Sequence, residues 1–247
     1  MKRTITIQAA MQEEANGLSA ALNLVEVDQI DSSMGFREFK GSFGENLELS
    51  LVLQGTDEDH KVEQVGLEAA AVCAYVGIQK RRPNLIINFG TAGGFADRGC
   101  KIGEVVLIGN PIKFHDRRVP LPGYFESQEG NYLVADLTNL QKHLGIRVAT
   151  LSSGSSLEMS ARDKEVLREQ KADIIEMEAA SIAWIAKKMK VPFLAVKSVT
   201  NFVDAPELIA EHFVKNLELA SLNVQNTMVE TLKFLDNNTD DVIWKFD

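Results

Sequence analysis

The stretch ADIIEMEAASIAWIAKKMKVPFLAVKSVTNFVD, Ala172 to Asp204, decides the fold. Ile174 and Ile175 read as a short buried strand, Ala179 to Met189 as a strongly apolar helix, and Phe193 to Val199 as a second buried strand. Continuous apolar strands joined by helices belong to a mostly parallel or mixed sheet covered on both faces. Against that background the polar residues stand out. Glu176 and Glu178 fall between strand and helix, and Lys197, Ser198, Thr200, Asn201 and Asp204 crowd the end of the last strand. Carboxylates are seldom buried without a partner, because desolvating the charge is costly. The two glutamates are two residues apart and cannot share a helix face, so one is expected to point into a site and the other away. Ligands of such sheets bind outside the carboxyl ends of the strands, which is where chemistry is expected here.

The same alternation extends upstream. Thr4 to Ala9 reads as a first strand and Gln12 to Asn23 as a helix. Arg37 to Phe43 and Glu48 to Gln54 form a predicted hairpin, and Val62 to Ile78 a buried helix with Gly66 as a breaker near its start. Leu85 to Phe89, Val105 to Ile108 and Arg147 to Leu151 are further strands, Ala161 to Gln170 is a charged helix, and Glu207 to Leu235 is a long amphipathic one. The tail from Asp236 has no assigned element. The class is therefore α/β, with no linker or repeat, and one domain over residues 1–247 is expected.

The other strand ends carry their own signals. Glu13 and Glu14 lie in the first turn of a helix, where acids complement the helix dipole. FGTAGGF, Phe89 to Phe95, has small residues that let a backbone approach a ligand closely, but it is neither GxGxxG nor a phosphate loop. SSGSS follows Leu151. Asp204, before Ala205 and Pro206, is placed to cap the final helix. FHDRRVPLP, Phe114 to Pro122, reads as a solvated loop, with a phosphate role for Arg117 and Arg118 as the alternative.

Composition excludes several classes. Hydrophobic residues make up 45% of the 247 residues and charged residues 25%, values of an ordinary globular chain. A net charge of −9 disfavours nucleic acid and anionic membranes as partners. No stretch is long enough to span a bilayer, and the start of the chain lacks the apolar core of a signal peptide. The two cysteines, Cys73 and Cys100, are far apart; Cys73 reads as a core thiol, and a reducing cytoplasm fits. The four histidines are scattered without metal-ligand spacing, and there is no GxSxG elbow.

AMQEE, INFGTAGGF, FHDRR, SSGSSLEMS, IEMEAASIA and VKSVTNFVD, in that order over nearly the whole chain, resemble the nucleoside phosphorylase superfamily. Within it they look most like the 5'-methylthioadenosine/S-adenosylhomocysteine nucleosidases, with FHDRRVPLP similar to the plant-type branch. The resemblance implies a single-domain mixed, twisted sheet partly closed into a barrel and flanked by helices, in a homodimer. It implies hydrolysis of the bond between a purine and its ribose in a small-molecule nucleoside, with no metal or organic cofactor. Glu14 matches the carboxylate that activates the attacking water, and Glu178 the one that binds the ribose hydroxyls. Met177 matches a residue packing on the sugar, Thr91, Ala92 and Gly93 a loop near base and ribose, and Leu157 a segment along the adenine. Thr200 stands beside Asn201 among the substrate-binding residues.

Charge favours water over phosphate as the nucleophile. Phosphorylases of the superfamily hold phosphate with arginines, whose guanidinium forks onto it. One such position is Asn88 here, and the first loop offers Glu13 and Glu14 instead. Two departures qualify the resemblance. Asn201 stands where the nucleosidases have an aspartate that serves as general acid, and Ser155 where plant-type members have an aspartate. An asparagine can donate a hydrogen bond to the purine but cannot deliver a proton. Three readings follow: a nucleosidase with impaired or altered activity, a purine nucleoside phosphorylase, or a nucleoside-binding protein with little turnover.

Overall fold

The computed structural model describes residues 2–31, 33–204 and 209–246. Its first half comprises β1 (Arg3–Ala9), α1 (Gln12–Ala21), β2 (Val25–Asp31), β3 (Phe36–Phe43), β4 (Leu47–Leu53), α2 (Leu67–Arg81), β5 (Leu85–Gly94), β6 (Val105–Ile108) and β7 (Lys113–Phe114). It continues with α3 (Tyr124–Glu129), α4 (Thr138–Leu144), β8 (Val148–Ala149), β9 (Leu151–Ser153), α5 (Ala161–Gln170), β10 (Ile174–Glu176), α6 (Ala179–Met189), β11 (Phe193–Phe202) and α7 (Ile209–Asn237).

β5 is the hub of one mixed sheet. Its first residues, Leu85 to Asn88, pair in parallel with β1, its last glycines pair antiparallel with β10, and β11 runs parallel along it from Ile86 to Gly94. From this hub the order runs β2-β3-β4-β1-β5-β10-β9-β7, while β11 leads to β6 and β6 to β8. Only Thr150 separates β8 from β9, so the path β5-β11-β6-β8-β9-β10 returns to β5. That ring is the closed, barrel-like part of the sheet, and β2-β3-β4-β1 is the open part. Ile86, Ile87, Leu194, Ala195 and Val196 are fully buried, as the continuous apolar runs of strands covered on both faces require. Helices pack in pairs, α2 against α6 and α1 against α7.

The structure departs from the sequence reading at specific points. β2 was not expected: VEVDQID is an edge strand, with Val25 68% exposed, and acids are poor strand formers. The strand expected over Arg147–Leu151 is two, because the chain changes partner at Thr150, from β6 to β10. The helix expected from Val62 begins at Leu67; Gly66, at φ 104°, ends a loop in which Thr56 bridges Glu63. The long last helix is present from Ile209, and its expected start at Glu207 lies outside the described residues. The helix start that Asp204 was expected to cap lies outside the described residues; the Asp204 carboxylate accepts the Ala96 and Asp97 N–H groups at 2.9 and 3.0 Å. The tail forms a 3-10 turn, Val242–Trp244, that buries Ile243 and Trp244 beneath Arg3.

Candidate active site

The carboxyl ends of β1, β5, β9, β10 and β11 converge on a cavity of about 270 Å³. All nine residues singled out above line it: Glu14, Thr91, Ala92, Gly93, Leu157, Met177, Glu178, Thr200 and Asn201. Val65, Ile175, Val203 and Phe213 add apolar wall.

The two acids at the start of α1 have different fates. Glu13 is exposed, whereas Glu14 is 4% exposed and turned inward. Its Oε1 accepts the Thr91 N–H at 2.7 Å and the Thr91 hydroxyl at 2.9 Å, and its Oε2 accepts the Met11 N–H at 3.2 Å. The approach depends on a missing side chain. A Cβ at Gly90, whose φ is 153°, would lie 2.7 Å from that Oε1. The turn is held from behind by Gln225 of α7, which donates to the Glu13 and Glu14 carbonyls. Gly17 makes room for Gln225, since a Cβ there would sit 2.0 Å from its Oε1. Burial raises the Glu14 pKa, with Lys197 and the Thr91 hydrogen bonds pulling the other way.

Glu176 and Glu178 both border the cavity, but they do different work. Glu176 accepts the Ser153 hydroxyl, the Glu178 and Ala179 N–H groups at 3.0 and 2.9 Å, and Lys197 Nζ at 3.0 Å. It closes the N-terminus of α6 and neutralises a buried cation. Glu178, 7% exposed, accepts the Gly66 N–H at 2.9 Å through Oε1. Burial first, and then the neighbouring Glu176 charge, push its pKa up to about 7.

The opposite wall is neutral. Register between β11 and β5 steps from Val199–Ala92 to Asn201–Gly93, which makes Thr200 the extra residue of a bulge. Regular alternation would turn Thr200 and Asn201 to opposite faces; the bulge lets both reach the cavity. The Thr200 hydroxyl lies 2.8 Å from Asn201 Oδ1 and 3.1 Å from the Ala92 carbonyl oxygen. Donation to Oδ1 leaves the Asn201 Nδ2 hydrogens for another acceptor. Gly93 is again a requirement of space, since a Cβ there would meet Val203 at 2.5 Å and Asn201 Nδ2 at 3.2 Å.

The FHDRR loop is structural. Arg118 pairs with Asp163 at the start of α5, Arg117 stacks over Phe114, and Asp116 accepts the Ser155 N–H at 2.7 Å. His115 packs on Gly154, where a Cβ would come within 2.3 Å of its Nε2. Asn88, the position compared with a phosphate-binding arginine, is buried, and its amide donates to the Gln8 carbonyl.

Sequence reasoning gave no task to Lys197, Val65 or Phe213. A lysine inside the apolar run FLAVKSV was itself a signal, since a buried ammonium must have partners. Val65 and Phe213 come from distant segments and carry no local signal.

This combination, a branched mixed sheet with a carboxylate-lined cavity at its strand ends, has relatives. A sequence model of the phosphorylase superfamily matches residues 4–233, and the chain belongs to that superfamily. Within it, the chain is 34% identical over 234 residues to the 5'-methylthioadenosine/S-adenosylhomocysteine nucleosidase of Arabidopsis thaliana, covering 94% of this chain and 91% of the relative. It is 32% identical over 240 residues to the 5'-methylthioadenosine nucleosidase of the same plant, covering 94% and 87%. The apo structure of Arabidopsis thaliana 5'-methylthioadenosine nucleosidase superposes with a TM-score of 0.92 at 30% identity, over 95% of this chain and 96% of that one.

Proposed function

We propose that the chain, acting as one domain over residues 1–247, is a purine-nucleoside N-ribohydrolase. Its substrate on this reading is 5'-methylthioadenosine, from which it releases adenine. S-Adenosylhomocysteine, named for the first Arabidopsis relative, is the second candidate substrate. One observation carries the choice of water as nucleophile. Glu14 and Glu178 face a cavity whose lining, among the described residues, contains no arginine, lysine or histidine. A phosphate dianion would meet three carboxyls and no cationic side chain in the lining; water meets a base.

The roles follow from the chemistry of the bond. A glycosidic bond breaks through a cationic sugar, which buried carboxylates stabilise. Glu14 takes the proton of the attacking water, and Glu178 holds the ribose hydroxyls. Met177 packs on the sugar, and Leu157 and the small residues Thr91, Ala92 and Gly93 border base and ribose. Asn201 donates a hydrogen bond to the imidazole-ring nitrogen of the purine, steadied by Thr200. The departing base then takes its proton from solvent, so binding is near normal and turnover slow. Asn201 also supports the second reading, a nucleoside-binding protein with little turnover.

The test is turnover of 5'-methylthioadenosine in ¹⁸O-labelled water with phosphate present. Label in the released sugar is expected. A sugar phosphate would assign a phosphorylase, and tight binding without adenine would assign the binding protein.

The reading includes a homodimer and a cytoplasmic location. Val72 and Tyr75 of α2 and Trp184 of α6 are 39%, 49% and 39% exposed, apolar area that a second copy would cover. Trp184→Glu should shift the sedimenting species to monomer; an unchanged species would place the interface elsewhere. Both cysteines are free and buried, as a reducing compartment allows. Among the described residues no helix is long and apolar enough to cross a membrane.

A further inference from the structure

We propose that Lys197 is a positioning residue of this site: its ammonium, anchored on Glu176, sets the ionisation of Glu14 and Glu178. The inference rests on the nucleosidase reading for the tasks of those two carboxyls. The geometry itself does not depend on it.

Lys197 is 2% exposed and is not among the residues lining the cavity. Its Nζ lies 3.0 Å from Glu176 Oε2. Glu176 is already satisfied by the Ser153 hydroxyl and two N–H groups of the α6 start, so it is a fixed counter-charge rather than a mobile one. The register of the sheet places Lys197 directly beside Gly90. Gly90 is the residue whose missing Cβ admits the Glu14 carboxylate. The cation is thus built into the strand next to one carboxyl and paired to a residue two positions from the other.

The charges around this point come from every element packed there. Glu14 belongs to α1, Glu176 to β10 and Glu178 to the start of α6. His115 follows β7, and Glu63 in the loop before α2 faces Glu14. Without a cation beside them, burial would push Glu14 and Glu178 further toward their protonated forms, and Glu14 would lose its use as a base. Burial alone would discharge Lys197, but Glu176, Glu178 and Glu14 together outweigh it and keep the ammonium charged. An ammonium in that position favours the ionised carboxylates.

The experiment is a ¹³C-carboxyl NMR titration of the full chain, with signals assigned by Glu14→Gln and Glu178→Gln. It is run on wild type, Lys197→Met, Lys197→Arg and Glu176→Gln, beside the pH profile of adenine release. Lys197→Met should move the Glu14 and Glu178 midpoints upward by about one unit or more, because an opposite charge has gone. Lys197→Arg should restore them. Glu176→Gln should move them downward, because a repelling charge beside Glu178 is gone and the cation is no longer neutralised. The acid limb of the pH profile should follow the same directions. A purely structural lysine would lower activity at every pH and leave the midpoints in place, which overturns the proposal. If Lys197→Met does not fold, Lys197→Gln takes its place: an upward shift supports the proposal, and unmoved midpoints overturn it. A chain that releases no adenine would break the nucleosidase reading while the NMR titration still decides this one.

Discussion

The two walls of the cavity are built on opposite principles. On the Glu14–Glu178 side, buried carboxyls are held by backbone N–H groups and an ion pair behind them. On the Thr200–Asn201 side, a neutral amide and a hydroxyl share one hydrogen bond. The first wall keeps desolvated charge, which is useful only where charge develops during a reaction. The second can recognise a base but cannot hand it a proton. On the proposed reading, capacity to stabilise the cationic sugar and capacity to activate the leaving group are separable, and only the first is fully equipped.

The sharpest way to break this contrast is to equip the second wall. Asn201→Asp should raise adenine release by at least tenfold, since a general acid contributes roughly a hundredfold to ten-thousandfold. No gain would mean that Asn201 is not at the leaving group.

Weakening the first wall comes next. Glu178→Gln should loosen nucleoside binding by about tenfold or more, as expected for a lost hydrogen bond to a charged group. Unchanged affinity in calorimetry would remove Glu178 from the ribose.

The first wall should also leave a mark on stability. The Glu178 pKa in the fold, about 7, is above its ordinary value of 4.5. Below that ordinary value both folded and unfolded chains hold the proton and nothing is lost. As pH rises from about 4.5 to 7 the unfolded chain ionises first, so stability falls. Glu178→Gln should flatten this part of the slope in urea titrations at pH 5 and pH 8; an identical slope would show that the carboxyl ionises freely.

The smallest effect is expected outside both walls. Arg118→Ala should cost no more than about 1 kcal/mol of stability, as a partly exposed ion pair does, and leave nucleoside affinity unchanged. A large loss of affinity would bring the FHDRR loop back into the site.

The contrast was only partly legible in the sequence. FGTAGGF, EMEA and VTNF mark strand ends because each breaks an apolar run with small or polar residues, and the fold brings all three to one cavity. The exposed and buried members of the Glu13–Glu14 pair could not be told apart, because the difference depends on Gly90 and on Gln225 from a helix about two hundred residues away. The bulge at Thr200 was hidden because register is a property of two strands, not one. The break at Thr150 was hidden for the same reason: the local pattern reads as one strand, and the change of partner is decided by β6 and β10.

The measurement that tests the central claim most directly is adenine release from 5'-methylthioadenosine by the purified chain in phosphate-free buffer, alongside the affinity for the same nucleoside. The expected result is tight binding with slow, phosphate-independent release that Asn201→Asp accelerates. Release that requires phosphate, or a nucleoside that does not bind, would contradict the account.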